Sequence, residues 1–392
     1  MKTIFVLGGD GFCGWPTSLK LSKEGYDVHI IDNLSRRKID IELDTNSLTK
    51  LESINRRLDV WNNVTGNNIL FHNLDLSNEY DRFLNLINKY DPEIIIHLAE
   101  QRAAPYSMKS SKTARYTVNN NLNNTHNVLC AIVESKKDIH VIHLGTMGVY
   151  GYGTIPDTII PEGYIDVKMK NSKGKEIETK ILHPSYPGSI YHMTKTQDAL
   201  FFQFFAKNYK LRITDLHQGI IWGFETDETK LHPELVNRFD YDSDYGTCLN
   251  RFIVQSLNNI PLTVYGRGEQ TRAFINIQNS VECIKLAVEN PPNKGDKVKI
   301  FNQMTETLTL NQLVDVIKKV KQHTRINYLD NPRNELVKND LSVSNRKFLN
   351  LGLKAILLSE NEIKIIFDQL EKHKDNLQTK SILPVSFWNS FK

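Results

Sequence analysis

Cysteine is scarce in this 392-residue chain: Cys13, Cys130, Cys248 and Cys283 stand far apart, with no C-x-x-C pair and no metal-type spacing. That excludes a disulfide framework and a zinc site and suits a reducing compartment. An excess of one charge is missing too. The 49 basic and 45 acidic residues leave a net charge of +4, with no block of like charge to coat nucleic acid or anionic lipid. No apolar run approaches the length of a membrane span, so no membrane insertion is expected. A strand expected from Thr3 leaves no room for a signal or transit peptide, and the N-x-T triplets at Asn63 and Asn123 carry no weight in a chain so rich in asparagine. With 40% hydrophobic and 24% charged residues, what remains is an ordinary globular composition and the expectation of a cytoplasmic enzyme.

The hydrophobic pattern then sets the fold class. TIFVLGG (3–9), DVHIID (27–32), NILFHNLD (68–75), EIIIHLA (93–99), HVIHLG (140–145) and RITDLHQG (212–219) are continuous apolar runs, as expected of strands buried on both faces of a parallel sheet. Helical stretches at 77–90, 113–135 and 191–209 separate most of them, and Pro16 sits in the first turn of a further helix after residue 14. The class is α/β, a Rossmann-like doubly wound parallel sheet with a smaller C-terminal α/β substrate domain. Residues 1–219 are expected to form the nucleotide-binding domain and 220–392 the smaller one, with some segments returning to the first. Two stretches interrupt the rhythm. Residues 36–67 are charged and asparagine-rich, and 151–189 contain a hairpin turning at NSKGK; lids, oligomer contacts and solvated insertions all fit. No internal repeat is evident.

GGDGFCG (8–14) follows the first strand and opens the first helix. Gly8, Gly11 and Gly14 let the backbone turn tightly and direct helix N-terminal N–H groups at a pyrophosphate, with Phe12 and Cys13 between them. Asp32 ends the second strand, eighteen residues after Gly14, where a carboxylate accepts both ribose hydroxyls and repels a 2′-phosphate. NAD is therefore expected rather than NADP. Arg36 and Arg37 argue mildly the other way and are read as adenine-stacking or pyrophosphate contacts. Asn33, Asp75 and Leu76 belong near the adenosine, and Leu98 and Ala99 along the ribose path. Asn119 is either a cofactor contact or a capping or core amide.

Tyr191 and Lys195 stand four apart in SIYHMTK, on one face of a helix. A phenol, ordinarily titrating near about 10, becomes a usable base for a sugar hydroxyl when an ammonium stabilises the phenolate. Thr146, at the end of the fifth strand, would set a hydroxyl on the same oxygen.

The glycine triplet, the strand-end threonine and the Y-x-x-x-K set resemble the extended short-chain dehydrogenases that modify nucleotide sugars, the NAD-dependent epimerase/dehydratase family. Within it the strings GGDGFCGWPTSLKLSK, IDNLSRR, EQRAAPYSM, LGTMGVYG, YHMTK, TDLHQG, TDETKLHPELVNRFDYDSDYGTCLNRF, LTVYGRGEQTRAFINI, NPRNE and SILPVSFW are similar to members that make a sulfonated sugar nucleotide. That resemblance implies UDP-glucose and sulfite as substrates and tightly held, recycled NAD. It also implies C4 oxidation, loss of the C5 proton and C6 hydroxyl, sulfite addition at C6 and reduction of C4, a carbon–sulfur bond-forming reaction. Relatives are usually homo-oligomers, and Phe201, Phe202, Phe204 and Phe205 are either such a contact or core. The 4,6-dehydratases of this family carry Asp-Glu after the threonine, where Met147 and Gly148 stand here. His192 is therefore a candidate for moving those protons, as well as a possible structural histidine, with Glu100 behind it. Arg102, helped by Gln101, is the candidate for gripping sulfite, the alternative being a pair with a structural carboxylate. For the UDP end the candidates are Gln218, Thr247, Asn250, Arg251, Val264, Tyr265, Gln270, Arg272 and Arg333. A UDP-sugar 4-epimerase, a 4,6-dehydratase and a binding module without catalysis are the competing readings.

Overall fold

The computed structural model describes residues 1–151, 158–333 and 341–383. Part of the NPRNE string and most of SILPVSFW lie outside the described residues.

Seven parallel strands form the central sheet: β1 (Thr3–Leu7), β2 (Asp27–Asp32), β3 (Ile69–Asn73), β4 (Ile94–His97), β5 (His140–Thr146), β6 (Arg212–Gln218) and β7 (Lys299–Gln303). Their order is β3-β2-β1-β4-β5-β6-β7, which reverses direction at β1 and β4. At that reversal the crevice beyond the carboxyl ends of the strands is open to a ligand. Alternate residues serve opposite faces. Val6, Ile30 and Ile96 pack on one side with Trp15 and Leu19 of α1 (Gly14–Lys23). Phe5, Ile31, Ile95, Val141 and Ile213 pack on the other with Val128 and Ile132 of α2 (Ser111–Ser135) and Phe202 and Phe205 of α3 (Ile190–Tyr209). Burial of each such side chain contributes about 1.5–3 kcal/mol, so strands apolar on both faces are the stable choice.

The two inserted stretches behave differently. Residues 36–67 contain two helices, Ser35–Glu42 and Ile54–Thr65, whose Ile39, Ile54, Val60 and Trp61 are buried. Trp61 Nε1 donates to Ser22 Oγ at 3.0 Å, and Leu48 N donates to the Phe239 carbonyl at 3.0 Å, so this stretch is packed structure and not a solvated insertion. Tyr164–Lys170 and Glu176–Leu182 form the antiparallel hairpin expected around NSKGK, and most of its side chains are exposed. Beyond residue 220, Thr271–Asn276 pairs parallel with Ile220–Trp222 and antiparallel with Glu306–Thr309, flanked by α4 (Cys248–Leu257) and the helices Ile277–Glu289 and Leu310–Val320. β7 leaves this region to pair with β6.

Several strand and helix positions inside the apolar runs are histidines kept neutral by burial. His97 and His140 are pushed down to about 3, each with a threonine hydroxyl at 3.1 and 2.8 Å as partner, and His192 is also pushed down to about 3. In the ligand-free fold these groups are neutral at pH 7, and below pH 6.5 each takes up a proton on unfolding. Their contribution is complete above pH 6.5 and is lost as pH falls toward 3, by up to about 1.4 kcal/mol per pH unit for each. His143, raised to about 8, acts in the opposite sense, its contribution present below pH 6.5 and lost as pH rises through 8. Urea titrations between pH 7 and 5 are expected to show a falling unfolding free energy, and His140→Gln is expected to flatten that fall.

Candidate active site

A single cleft runs along the carboxyl ends of β1, β2, β4, β5 and β6 and continues to the residues around α4. Its floor is the turn after β1. Gly8 has φ +80°, and a Cβ there would lie 2.8 Å from the Leu98 carbonyl and Ala99 N; a Cβ on Gly14 would lie 2.1 Å from the Gly8 carbonyl oxygen. Only glycine permits this approach of three backbone segments, and it leaves the start of α1 open to a phosphate group. Asp32 accepts hydrogen bonds from Asp10 N at 3.0 Å and Leu34 N at 2.7 Å, while burial and the neighbouring Asp10 raise it to about 6. A half-buried carboxylate held ready for hydroxyl donors, beside an open glycine turn, fits a dinucleotide with a free ribose.

The arginines after β2 do not form a phosphate pocket. Arg37 grips Asp10 with two bonds, at 2.5 and 2.8 Å, donates to the Glu52 carbonyl at 2.9 Å, and is absent from the cleft lining. Arg36 lines the cleft but is paired with Asp40 and Asp240 at 2.5 and 3.0 Å and lies 3.7 Å over the Tyr245 ring. Each guanidinium is already neutralised, which leaves the Asp32 preference for NAD unopposed.

Of the remaining cofactor candidates, Gly11, Phe12, Cys13, Asn33, Leu76, Leu98 and Ala99 line the cleft. Asp75 does not; it accepts from Ser77 N, Ser77 Oγ and Asn78 Nδ2 at 2.7 to 3.0 Å and so closes the turn after β3. Asn119 is exposed, and the cleft is lined instead by Asn120 and Asn124, one and five residues on along α2. Asn124 Nδ2 donates to the Ala99 carbonyl at 2.6 Å, while Asn121 bonds Gln101 N at 2.8 Å and its carbonyl at 3.0 Å. The asparagine run thus satisfies the backbone of the loop after β4.

Around the tyrosine, helix register does the positioning. Ser189 caps α3 by accepting from His192 N at 3.1 Å. Tyr191, His192 and Lys195, all buried, line the cleft with Thr146. Burial raises Tyr191 to about 12; Lys195, Arg102 and the Thr146 hydroxyl work to lower it, and Glu100 works to raise it. Lys195 Nζ donates to the Leu144 carbonyl at 2.7 Å and lies 2.9 Å from Glu100 Oε2 and 3.0 Å from His143 Nε2. Neither Glu100 nor His143 was given this role by spacing along the chain. Their side chains meet only because β4 and β5 are neighbours. Next to Tyr191, the His192 ring occupies space that a side chain at 148 would fill: a Cβ on Gly148 would lie 2.3 Å from His192 Nε2. Burial, then Arg333 and Arg272, keep this imidazole neutral.

Arg102 lines the cleft between Phe12 and Tyr245, its guanidinium 5.7 and 5.5 Å from their rings. It is also paired with Asp240, the structural-carboxylate alternative, and Asp240 is shared with Arg36 and Arg238. Gln101 lines the cleft, its side chain bonded to Ala103 N and carbonyl. At the far end Gln218, Thr247, Arg251, Tyr265, Gln270, Arg272 and Arg333 line it. Val264 and Asn250 do not. Val264 is fully buried in the core, and Asn250 is turned inward, its Nδ2 3.4 Å from the Asp240 carbonyl.

The chain belongs to the NAD dependent epimerase/dehydratase family, whose model matches residues 4–302. It is 39% identical over 391 residues to the chloroplastic UDP-sulfoquinovose synthase of Spinacia oleracea, covering 99% of this chain and 79% of that one. With the UDP-sulfoquinovose synthase of Sulfolobus acidocaldarius it shares 36% identity, covering 98% and 97%. Among solved structures, the UDP-glucose 4-epimerase of Thermotoga maritima with UDP-glucose superposes with TM-score 0.70 at 21% identity, over 94% of this chain and 99% of that one. The UDP-glucuronic acid 4-epimerase of Bacillus cereus, in complex with UDP-glucuronic acid and NAD, gives 0.67 at 19%, over 94% and 99%. At those identities the structures establish the shared fold, and the family establishes NAD as the cofactor.

Gly148→Ala is expected to displace His192 and to lower turnover at least tenfold while leaving the NAD content of the purified protein unchanged. Gly14→Ala is expected to abolish NAD retention, as read by absorbance of the nucleotide released on denaturation.

Proposed function

We propose that this chain makes UDP-sulfoquinovose from UDP-glucose and sulfite with release of water. The carrying observation is the exchange at the end of β5: Met147 and Gly148 leave no carboxylate pair there, and the space opened by Gly148 holds the His192 imidazole beside Tyr191. Kinship with two UDP-sulfoquinovose synthases over nearly the whole chain supports the same reading. The reaction forms a carbon–sulfur bond, and written backwards it is hydrolysis of that bond, which is the formal class of such an enzyme.

NAD, held by Gly8, Gly11, Gly14 and Asp32, supplies a reversible electron acceptor that is restored within each turnover. Tyr191 takes the proton of the C4 hydroxyl, with Thr146 on the same oxygen and the Lys195 ammonium stabilising the phenolate. His192, neutral before substrate enters, is suited to accept the C5 proton made acidic by the C4 ketone and to return it to the departing C6 hydroxyl, which leaves as water. Arg272 and Arg333 are the two cations that depress His192 after burial. A diphosphate lying on them offsets that field, so the imidazole becomes more basic when the substrate is in place. Arg102, facing the cleft, exchanges its Asp240 contact for sulfite oxygens in a two-pronged bond. Entering as bisulfite, the nucleophile adds at C6 and its proton ends on C5, after which Tyr191 returns its proton to the C4 oxygen. Arg251, Tyr265, Gln270 and Gln218 hold the UDP end.

Among the described residues no helix is long and apolar enough to cross a membrane. We place the enzyme in the cytoplasm as a homo-oligomer. Leu200, Phe204 and Tyr209 of α3 are 58%, 53% and 48% exposed, beside an apolar groove shared with α2, and a second copy would cover them.

Incubation with UDP-glucose, with and without isotope-labelled sulfite, is expected to give a sulfite-dependent product carrying the label; a label-free UDP-hexose isomer or keto-sugar would instead make the protein an epimerase or dehydratase. Tyr191→Phe is expected to cut product formation by about 10²–10⁴-fold. Arg102→Ala is expected to raise KM for sulfite by about tenfold or more with a smaller change in KM for UDP-glucose.

A further inference from the structure

Beside Tyr191 and Lys195, reaching the cleft lining at Glu100, lies a buried polar cluster for which the reaction above has no role. Glu100 stands just past β4 with its side chain 2% exposed; its Oε2 is 2.9 Å from Lys195 Nζ and its Oε1 3.0 Å from His143 Nε2 and 3.4 Å from His97 Nε2. His143 Nδ1 is 2.8 Å from Asp215 Oδ1, and Asp215 Oδ2 is 3.0 Å from His217 Nε2. His217 Nδ1 in turn is 2.7 Å from the Tyr150 hydroxyl. Asp198, on α3 one turn beyond Lys195 and fully buried, has its Oδ2 3.7 Å from His143 Nε2. Space for this arrangement is kept by Gly145, where a Cβ would lie 2.6 Å from Asp215 Oδ1.

Glu100, His143 and Asp198 place one ligand atom each within 4.8 Å of one another, a spacing that suits a metal ion. The cation already there is Lys195, 2.9 and 3.0 Å from the first two. An ammonium so far from water requires a counter-charge. Glu100 supplies it, since against the burial that would raise it Lys195 and then His143 hold its carboxyl well below the usual range. Burial and then the Glu100 charge push Asp198 the other way, well above its usual range, so Glu100 is the more readily ionised of the two carboxyls and Asp198 the one favoured to hold a proton. Burial and Lys195 oppose a charge on His143, but its bonds to Asp215 and Glu100 prevail and raise it to about 8.

We propose that Glu100 is the positioning residue of the tyrosine–lysine pair: its buried carboxylate anchors Lys195 and, by its negative charge, limits how far that ammonium stabilises the Tyr191 phenolate. The proposal rests on Tyr191 being the base. The groups facing the pair are Glu100, Arg102, His143, His192 and Asp198, with His97 and Asp215 behind them. Removing the Glu100 charge while Lys195 stays charged leaves a net positive field at the phenol. Asp198 is the neighbouring carboxyl that can ionise in its stead, so it must be made neutral first.

The test is a carbon-13 NMR titration of the full chain with tyrosine labelled at Cζ, the Tyr191 signal being the one lost in Tyr191→Phe. Asp198→Asn, an isostere of the protonated acid, is expected to titrate like the wild type. Asp198→Asn with Glu100→Gln is expected to titrate about 1–2 pH units lower, the size of one unit charge removed a few ångströms away. Asp198→Asn with Glu100→Asp is expected to return toward the wild-type value. No downward shift in the Gln double variant overturns the proposal. Should that variant not fold, Glu100→Gln alone is read with aspartate Cγ labelled as well: either Tyr191 falls or Asp198 turns from protonated to ionised, and if neither moves the proposal is wrong. Transient NADH on mixing wild-type protein with UDP-glucose tests the parent reading by itself, because the Tyr191 titration needs no substrate.

Discussion

A lysine ammonium taken out of water is the constraint around which this cleft is organised. Isolated in a low-dielectric interior, Lys195 would lose its proton, and a neutral amine would do nothing for a neighbouring phenol. Its charge is kept by Glu100 and the Leu144 carbonyl, two groups delivered by two adjacent strands. That requirement extends outward. The helix must start where Ser189 caps it so that Tyr191 and Lys195 face the sheet together, and the asparagines of α2 must fix the loop that carries Glu100. Gly145 and Gly148 must stay small, one for Asp215 and the other for His192.

At the opposite end of the cleft the same electrostatic accounting holds with arginine. Asp10 pairs with Arg37 and Arg57, and Asp40 and Asp240 are shared among Arg36, Arg102 and Arg238. These bridges tie the first glycine turn, the stretch 36–67 and the segment 236–246 into one wall, which is why a charged, asparagine-rich insertion is packed rather than solvated. Arg102, the most exposed of them, lines the cleft between two aromatic rings. It is held where an anion could claim it.

Much of this architecture was legible in one dimension. Buried parallel strands announce themselves as unbroken apolar runs, and the glycine turn and the tyrosine–lysine pair are defined by spacings of three and four that local geometry converts directly into position. Arg37, Asp75, Asn119, Asn250 and Val264 were harder because each depends on where a side chain points. Arg37 turned to Asp10, 27 residues away, and the helix rotation chose Asn120 over Asn119. Glu100 and His143 were harder still, since 43 residues separate two groups that meet only when β4 and β5 pair.

The amino-acid order alone therefore determined the sheet, the glycine turn and the tyrosine–lysine pair, because each is written in contiguous residues whose backbone preferences and periodicity suffice. Only the tertiary structure decided which charges neutralise one another and which remain available to a ligand, because electrostatic pairing in a buried cleft depends on distances of a few ångströms between segments far apart in the chain.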